Sequence, residues 1–246
     1  MQGQSNDREG VQLVWGVSLD LDMSGFTALR DEISAEHPLF PEFSEALGRI
    51  GLSGSPRSIS NEALQTHIAS FYEAIHAEES DHCVLLQQQW NRTGEVFLKR
   101  SNELFNHSYN GPMRFFAYPS IWRVHIQQPD RHAISFPLER DTRDKDEALY
   151  VVVHELLHAF FFDFAEATGL LKDRNDVWDI SEIFNVLVLQ QARFADLYPA
   201  HSIIPYPQHE DIVSGLQEML PGLRNAESII KAICRYIDNG RRESLV

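Results

Sequence analysis

A chain of 246 residues with 21 basic and 36 acidic side chains carries a formal charge of −15. That disfavours nucleic acid or an anionic membrane surface as partner, because both select basic patches. Apolar residues make up 43% and charged residues 23%, the balance of a soluble globular protein with enough chain for one large domain or two small ones.

The first ten residues, MQGQSNDREG, are polar and lack the apolar stretch of a secretory signal. Residues 11–19, VQLVWGVSL, have the β-branched and aromatic content of a strand. Helical patterns follow over about 27–36, 41–50, 60–79 and 81–105. Ser60 suits an N-cap, with Glu62 in the first turn where a negative charge favours the helix dipole. Past Asn110-Gly111-Pro112 the runs RFFAYP, IWRVHI and AISFPL predict a small sheet. A helix is expected from about 145 to Thr168, stopped by Gly169, and another from Asp179. Two more fall over about 211–220 and 226–239. The fold class is therefore α+β: a mainly helical region, 1–112, before a region, 113–246, holding the sheet and the C-terminal helices, separate or continuous as one domain. No stretch reaches the roughly 18 to 20 continuous apolar residues of a membrane span. The two cysteines, Cys83 and Cys234, are too few for a disulfide framework and point to reduced thiols in the cytoplasm. The sequons at Asn91 and Asn106 then carry no glycan.

One run stands apart. Residues 151–162 read VVVHELLHAFFF, placing two histidines and a glutamate inside an apolar helix. Burying such groups without partners is costly, so something must satisfy them. Residues i and i+4 share a helix face, so His154 and His158 can converge on one cation. Glu155 lies about 100° around the helix, within reach of a metal-bound water without ligating the metal itself. Two imidazoles and a carboxylate hold Zn²⁺ with one position left for water, and the extra glutamate takes that water's proton.

Through VVVHELLHAF the chain resembles the zincin metallopeptidases. The metzincin pattern would need glycine at 161 and histidine at 164, and both are phenylalanine. Gluzincins take their third ligand from a second, downstream helix. Glu182, in WDISEIFNVLVL, lies 24 residues past His158, within that branch's range. The resemblance implies Zn²⁺ held by His154, His158 and Glu182, with Glu155 as general base and a peptide or protein as substrate. Two other readings of this segment stand beside it. Glu182 would be the capping partner of an N-cap at Asp179, or Asp179 itself would be the ligand, as in aspzincins, whose GTxDxxYG signature is absent. Many gluzincins place an aspartate four residues after the ligand glutamate to orient a ligand histidine; Val186 stands there, with Asn185 the nearest substitute and Asp179 another candidate. An oxyanion donor is expected beyond the third ligand, among Tyr198, His201, Tyr206 and His209, of which Tyr206 and His209 are taken forward. HAISFPLER, 132–140, has the place and composition of the edge strand on which zincins lay out substrate, or of a plain core strand. A second reading of the whole is a zincin-like zinc-binding regulatory or interaction module with little hydrolytic activity, its helical N-terminal region serving to gate or bind.

Other motifs fall short. DLDMSGFTALRD, 20–31, opens like an EF-hand loop but ends in Asp31 rather than glutamate and has no paired loop. It also echoes the class III nucleotide cyclases, yet the chain holds no Gly-Asp dipeptide for their second metal aspartate. SDHCVLL does not match the cysteine strand of peptide deformylase, and the GxMEN of the gluzincin aminopeptidases is missing.

Overall fold

The computed structural model describes residues 11–30, 33, 40–106, 109–111, 114–122, 127–142, 146–197, 205–219 and 222–243. Helices and a small sheet make it an α+β protein. Contacts group the chain into two compact units, each drawn from two stretches: 1–92 with 112–152, and 93–111 with 153–246. The change of character expected near 112 falls at one point where the chain passes between units. The other two passages lie inside long helices, where composition does not change.

The first unit holds the sheet. Strands β1 (Gln12–Trp15), β2 (Arg114–Ser120), β3 (Gln127–Gln128) and β4 (Ala133–Pro137) lie in the order β1-β2-β4-β3. β1 pairs parallel to β2 with Gln12 opposite Arg114, and β2 parallel to β4 with Phe116 opposite Ala133. All five residues of β4 are buried, as expected of a parallel strand covered on both faces. β3 covers Ala133 and Ile134 from the other side, antiparallel. β4 is thus an inner strand and not the edge anticipated for substrate. Of IWRVHI, Ile121 and Trp122 turn into the core, and 123–126 lie outside the described residues.

β1 ends at Trp15, short of the expected 19, because Ser18 caps helix α1 (Leu19–Leu29), its Oγ accepting from the Leu21 amide at 3.3 Å. The EF-hand-like segment is therefore helical over Asp20 to Leu29. Helix α2 (Phe40–Arg49) follows, then α3 (Asn61–Leu104), a single helix of 44 residues where two were expected. Ser60 caps it through the Ala63 amide at 3.1 Å. Phe26, Phe43 and Trp122 stack at centroid distances of 5.0 to 5.5 Å in the core. Each such ring contributes about 1.5–3 kcal/mol by burial.

Beside this stack Asp22 is fully buried. Its carboxylate accepts from Ser120 Oγ at 2.6 Å, Tyr72 hydroxyl at 3.0 Å and the Ile121 amide at 3.4 Å. Burial outweighs these three bonds and pushes its pKa up to about 7.

The second unit is helical. It takes the end of α3 and, from Val153 on, helix α4 (Glu147–Thr168). Helices α5 (Val177–Leu189), α6 (Ala192–Ala195), α7 (Glu210–Gln217) and α8 (Ala226–Glu243) complete it. α4 ends as expected at Gly169, whose φ of +63° is cheap for glycine alone. Phe105 anchors the core against Phe160, Phe164 and Phe184 at 5.6 to 5.9 Å. Between α4 and α5, Arg174 forks onto Asp176 at 2.8 Å and reaches Asp238 of α8 at 3.0 Å, tying the connection down. By length and composition α4 would cross a membrane, but 67% of its apolar window is buried within the protein itself. Both cysteines are free.

Candidate metal centre

α4 and α5 bring the expected ligands together. His154 and His158 stand one turn apart on α4, and Glu182 faces them from the second turn of α5. His158 Nε2 lies 3.1 Å from His154 Nε2, while Glu182 sets Oε2 at 3.3 Å from His154 Nε2 and Oε1 at 3.4 Å from His158 Nε2. Bonds of ~2.0–2.1 Å from a tetrahedral cation place its ligands about 3.3 Å apart. The two imidazole nitrogens, and one carboxylate oxygen facing each of them, stand at that spacing, and one donor atom from each residue lies within 4.8 Å of the others. Among the described residues this is the one cluster of three or more His, Cys, Asp or Glu able to hold a metal. The helix that bears Glu182 starts at Val177 with Asp176 as N-cap, so Glu182 is not a cap partner of Asp179.

The groups polarise one another strongly. Burial pushes the Glu182 carboxyl up, but hydrogen bonds and charge from His154 and His158 outweigh it and hold it down to about 2. Burial works against a charged His154 as well, and the Glu182 hydrogen bond with the charges of Glu155 and Glu182 still raises its pKa. Glu155 is 8% exposed, and burial raises its pKa against the pull of both histidines. His158 and Glu182 expose 2% and 7% of their side chains and His154 16%, so solvent approaches the triad over His154.

The surroundings depart from the expected pattern in an instructive way. Asp179 does engage a histidine, but it is His209, through Nε2 at 3.0 Å, rather than a ligand. Asn185 donates from Nδ2 to the backbone carbonyl of His154 at 3.0 Å instead of to a ring. His158 Nδ1 is buried without a hydrogen-bond partner among the described residues, consistent with Val186 standing where gluzincins carry an aspartate. Tyr206 meets His209 edge-on at 5.8 Å and remains 48% exposed. Partial burial, then the charges of Glu182 and Glu155, push its phenol up to about 12, so it is a proton donor at neutral pH. Tyr198 and His201 lie outside the described residues.

Sequence reasoning passed over Trp178 and Phe162. The Trp178 ring stacks on His158 at 5.1 Å and 10°, and Phe162 on His158 at 6.0 Å and 17°. Spacing carried the signal: Trp178 is four residues before Glu182 and Phe162 four after His158, each on its ligand's helix face. Comparison of the chain with protein-family models, with curated proteins and with solved structures returned no match.

Proposed function

We propose that this protein is a zinc-dependent metallopeptidase of gluzincin character, with a zincin-like arrangement of α4 and α5. The supporting observation is the convergence of His154, His158 and Glu182, with the two imidazole nitrogens 3.1 Å apart and a Glu182 oxygen 3.3 to 3.4 Å from each. Two imidazoles and one carboxylate are the donor set zinc takes in hydrolytic sites. Once bound, zinc would acidify a water and polarise the scissile carbonyl. Glu155, beside the triad but outside it, accepts the proton of the attacking water and passes it to the leaving amine. Tyr206 supplies the hydrogen bond for the developing oxyanion. His209, with Nε2 held on Asp179, positions the Tyr206 ring. Substrate is a peptide or protein; the charge of −15 argues against nucleic acid and anionic membrane as partners. Free thiols suit a cytoplasmic setting.

The unpartnered Nδ1 of His158 favours a second reading. A ligand imidazole without a hydrogen-bonded partner is a weaker base, as in a zincin-like regulatory or interaction module that holds zinc with little turnover.

Elemental analysis of the purified protein is expected to show one equivalent of zinc. His158→Ala and Glu182→Ala should each weaken zinc binding by more than ~100-fold, the upper end of what partners outside the ligand set contribute. Peptide-library cleavage should disappear with chelator and return with zinc. Cleavage by metal-free protein, or a zinc affinity unmoved by Glu182→Ala, would refute the assignment.

A further inference from the structure

Three rings form a slab beside the triad. His158, Trp178 and Phe162 lie within 20° of parallel, with centroids 5.1 to 6.1 Å apart. Trp15, Trp90 and Trp122 are buried at 8% exposure or less, whereas Trp178 is 57% exposed. One indole face is fixed against the protein and the rest is left to solvent. A large apolar surface held rigid at the mouth of a polar site is what a recognition surface needs, because it orders no further side chain on binding.

We propose that Trp178, backed by His158 and Phe162, is the subsite for a large apolar or aromatic side chain of the peptide, next to the scissile bond. This rests on the metallopeptidase reading above. Consecutive peptide Cα atoms are about 3.8 Å apart. The indole is in van der Waals stacking with a ligand imidazole, so a side chain laid on it belongs to a residue flanking the carbonyl at the triad. Neighbouring charge does not compete for that place: Asp179 is engaged by His209, and Glu182 by the two histidines. If Trp178 served only to shield His158, its loss would weaken zinc binding and slow all substrates alike.

The test uses the full chain loaded with zinc, with two blocked peptides, acetyl-Ala-Phe-Ala-amide and acetyl-Ala-Ala-Ala-amide, as probes. In a Glu155→Gln background, which prevents turnover, Trp178 reports binding as the one exposed tryptophan. The Phe peptide should shift emission to the blue and bind about tenfold more tightly than the Ala peptide, the upper end of what one aromatic pair contributes. Trp178→Ala should bring that ratio close to one, and Trp178→Phe should keep most of it; the zinc-loaded active enzyme should show the same change in its kcat/KM ratio. A ratio unmoved by Trp178→Ala, or no preference for Phe at all, overturns the subsite. Binding of the Phe peptide at Trp178 without cleavage by the active form overturns the peptidase reading and retains the shelf as a peptide-binding surface.

Discussion

Glu155→Gln is expected to lower kcat/KM by at least ~10³-fold while leaving zinc in place. General acid–base catalysis by one positioned group contributes roughly 10² to 10⁴-fold, and here one carboxylate serves both proton transfers. Glutamine matches glutamate in volume and removes only the basic oxygen. The three donors at 154, 158 and 182 are untouched, so zinc content by elemental analysis should equal that of the parent. Glu155 is buried, and burial disfavours its charged form, so the neutral amide also lifts a desolvation cost. The variant should therefore unfold at the same or higher urea concentration. Loss of turnover with metal and stability retained identifies Glu155 as the base; undiminished cleavage rules it out. Under the regulatory reading the substitution leaves the protein's function as it was.

Asp22→Asn should remove most of a pH dependence of stability that the parent shows between pH 4 and 7. Asp22 is fully buried, and burial raises its pKa from 3.8 to about 7. The folded chain therefore keeps this proton up to about pH 7, while the unfolded chain releases it near 3.8. Between those values the native state binds more protons, so stability falls as pH rises. Across the whole window the loss is about 4 kcal/mol, and about 3 kcal/mol between pH 5 and 8. Asparagine has no proton to lose, and its amide can still meet Ser120 while its oxygen accepts from Tyr72 and Ile121. Urea midpoints of the two proteins should diverge with rising pH in favour of the variant. Midpoints that move in parallel from pH 5 to 8 would show that Asp22 is ionised throughout.

What the sequence disclosed follows the range of the forces involved. His154 and His158 were legible because four-residue spacing is a property of any helix, and Glu182 because a short connection returns a second helix. Ser60 and Gly169 were legible as cap and stop because both act on their own backbone. α3 was read as two helices meeting near 80, a boundary that nothing local marks. No glycine or proline stands between 76 and 93, and a solvated helix face needs neither. Asp22 gave no warning, since Tyr72 and Ser120 reach it from 50 and 98 residues away. The inner position of β4 depends on parallel pairing with β2 and on a two-residue β3, neither of which leaves a periodic trace. The aspartate missing after Glu182 was visible, but that Asp179 would turn to His209 was a matter of tertiary packing.

The bond from the Asn185 amide to the His154 carbonyl has a consequence for ion choice. It ties the Asn185 side chain of α5 to the α4 backbone beside the triad, so the two helices hold one another by a bond of the protein's own. Widening the space between them to suit a larger guest would break that bond, at a cost of about 0.5–1.5 kcal/mol. Calcium, with oxygen ligands at about 2.3–2.6 Å and six or more of them, would need the helices to spread. Small, nitrogen-seeking ions would meet no such cost, so the bond would tilt the choice toward them.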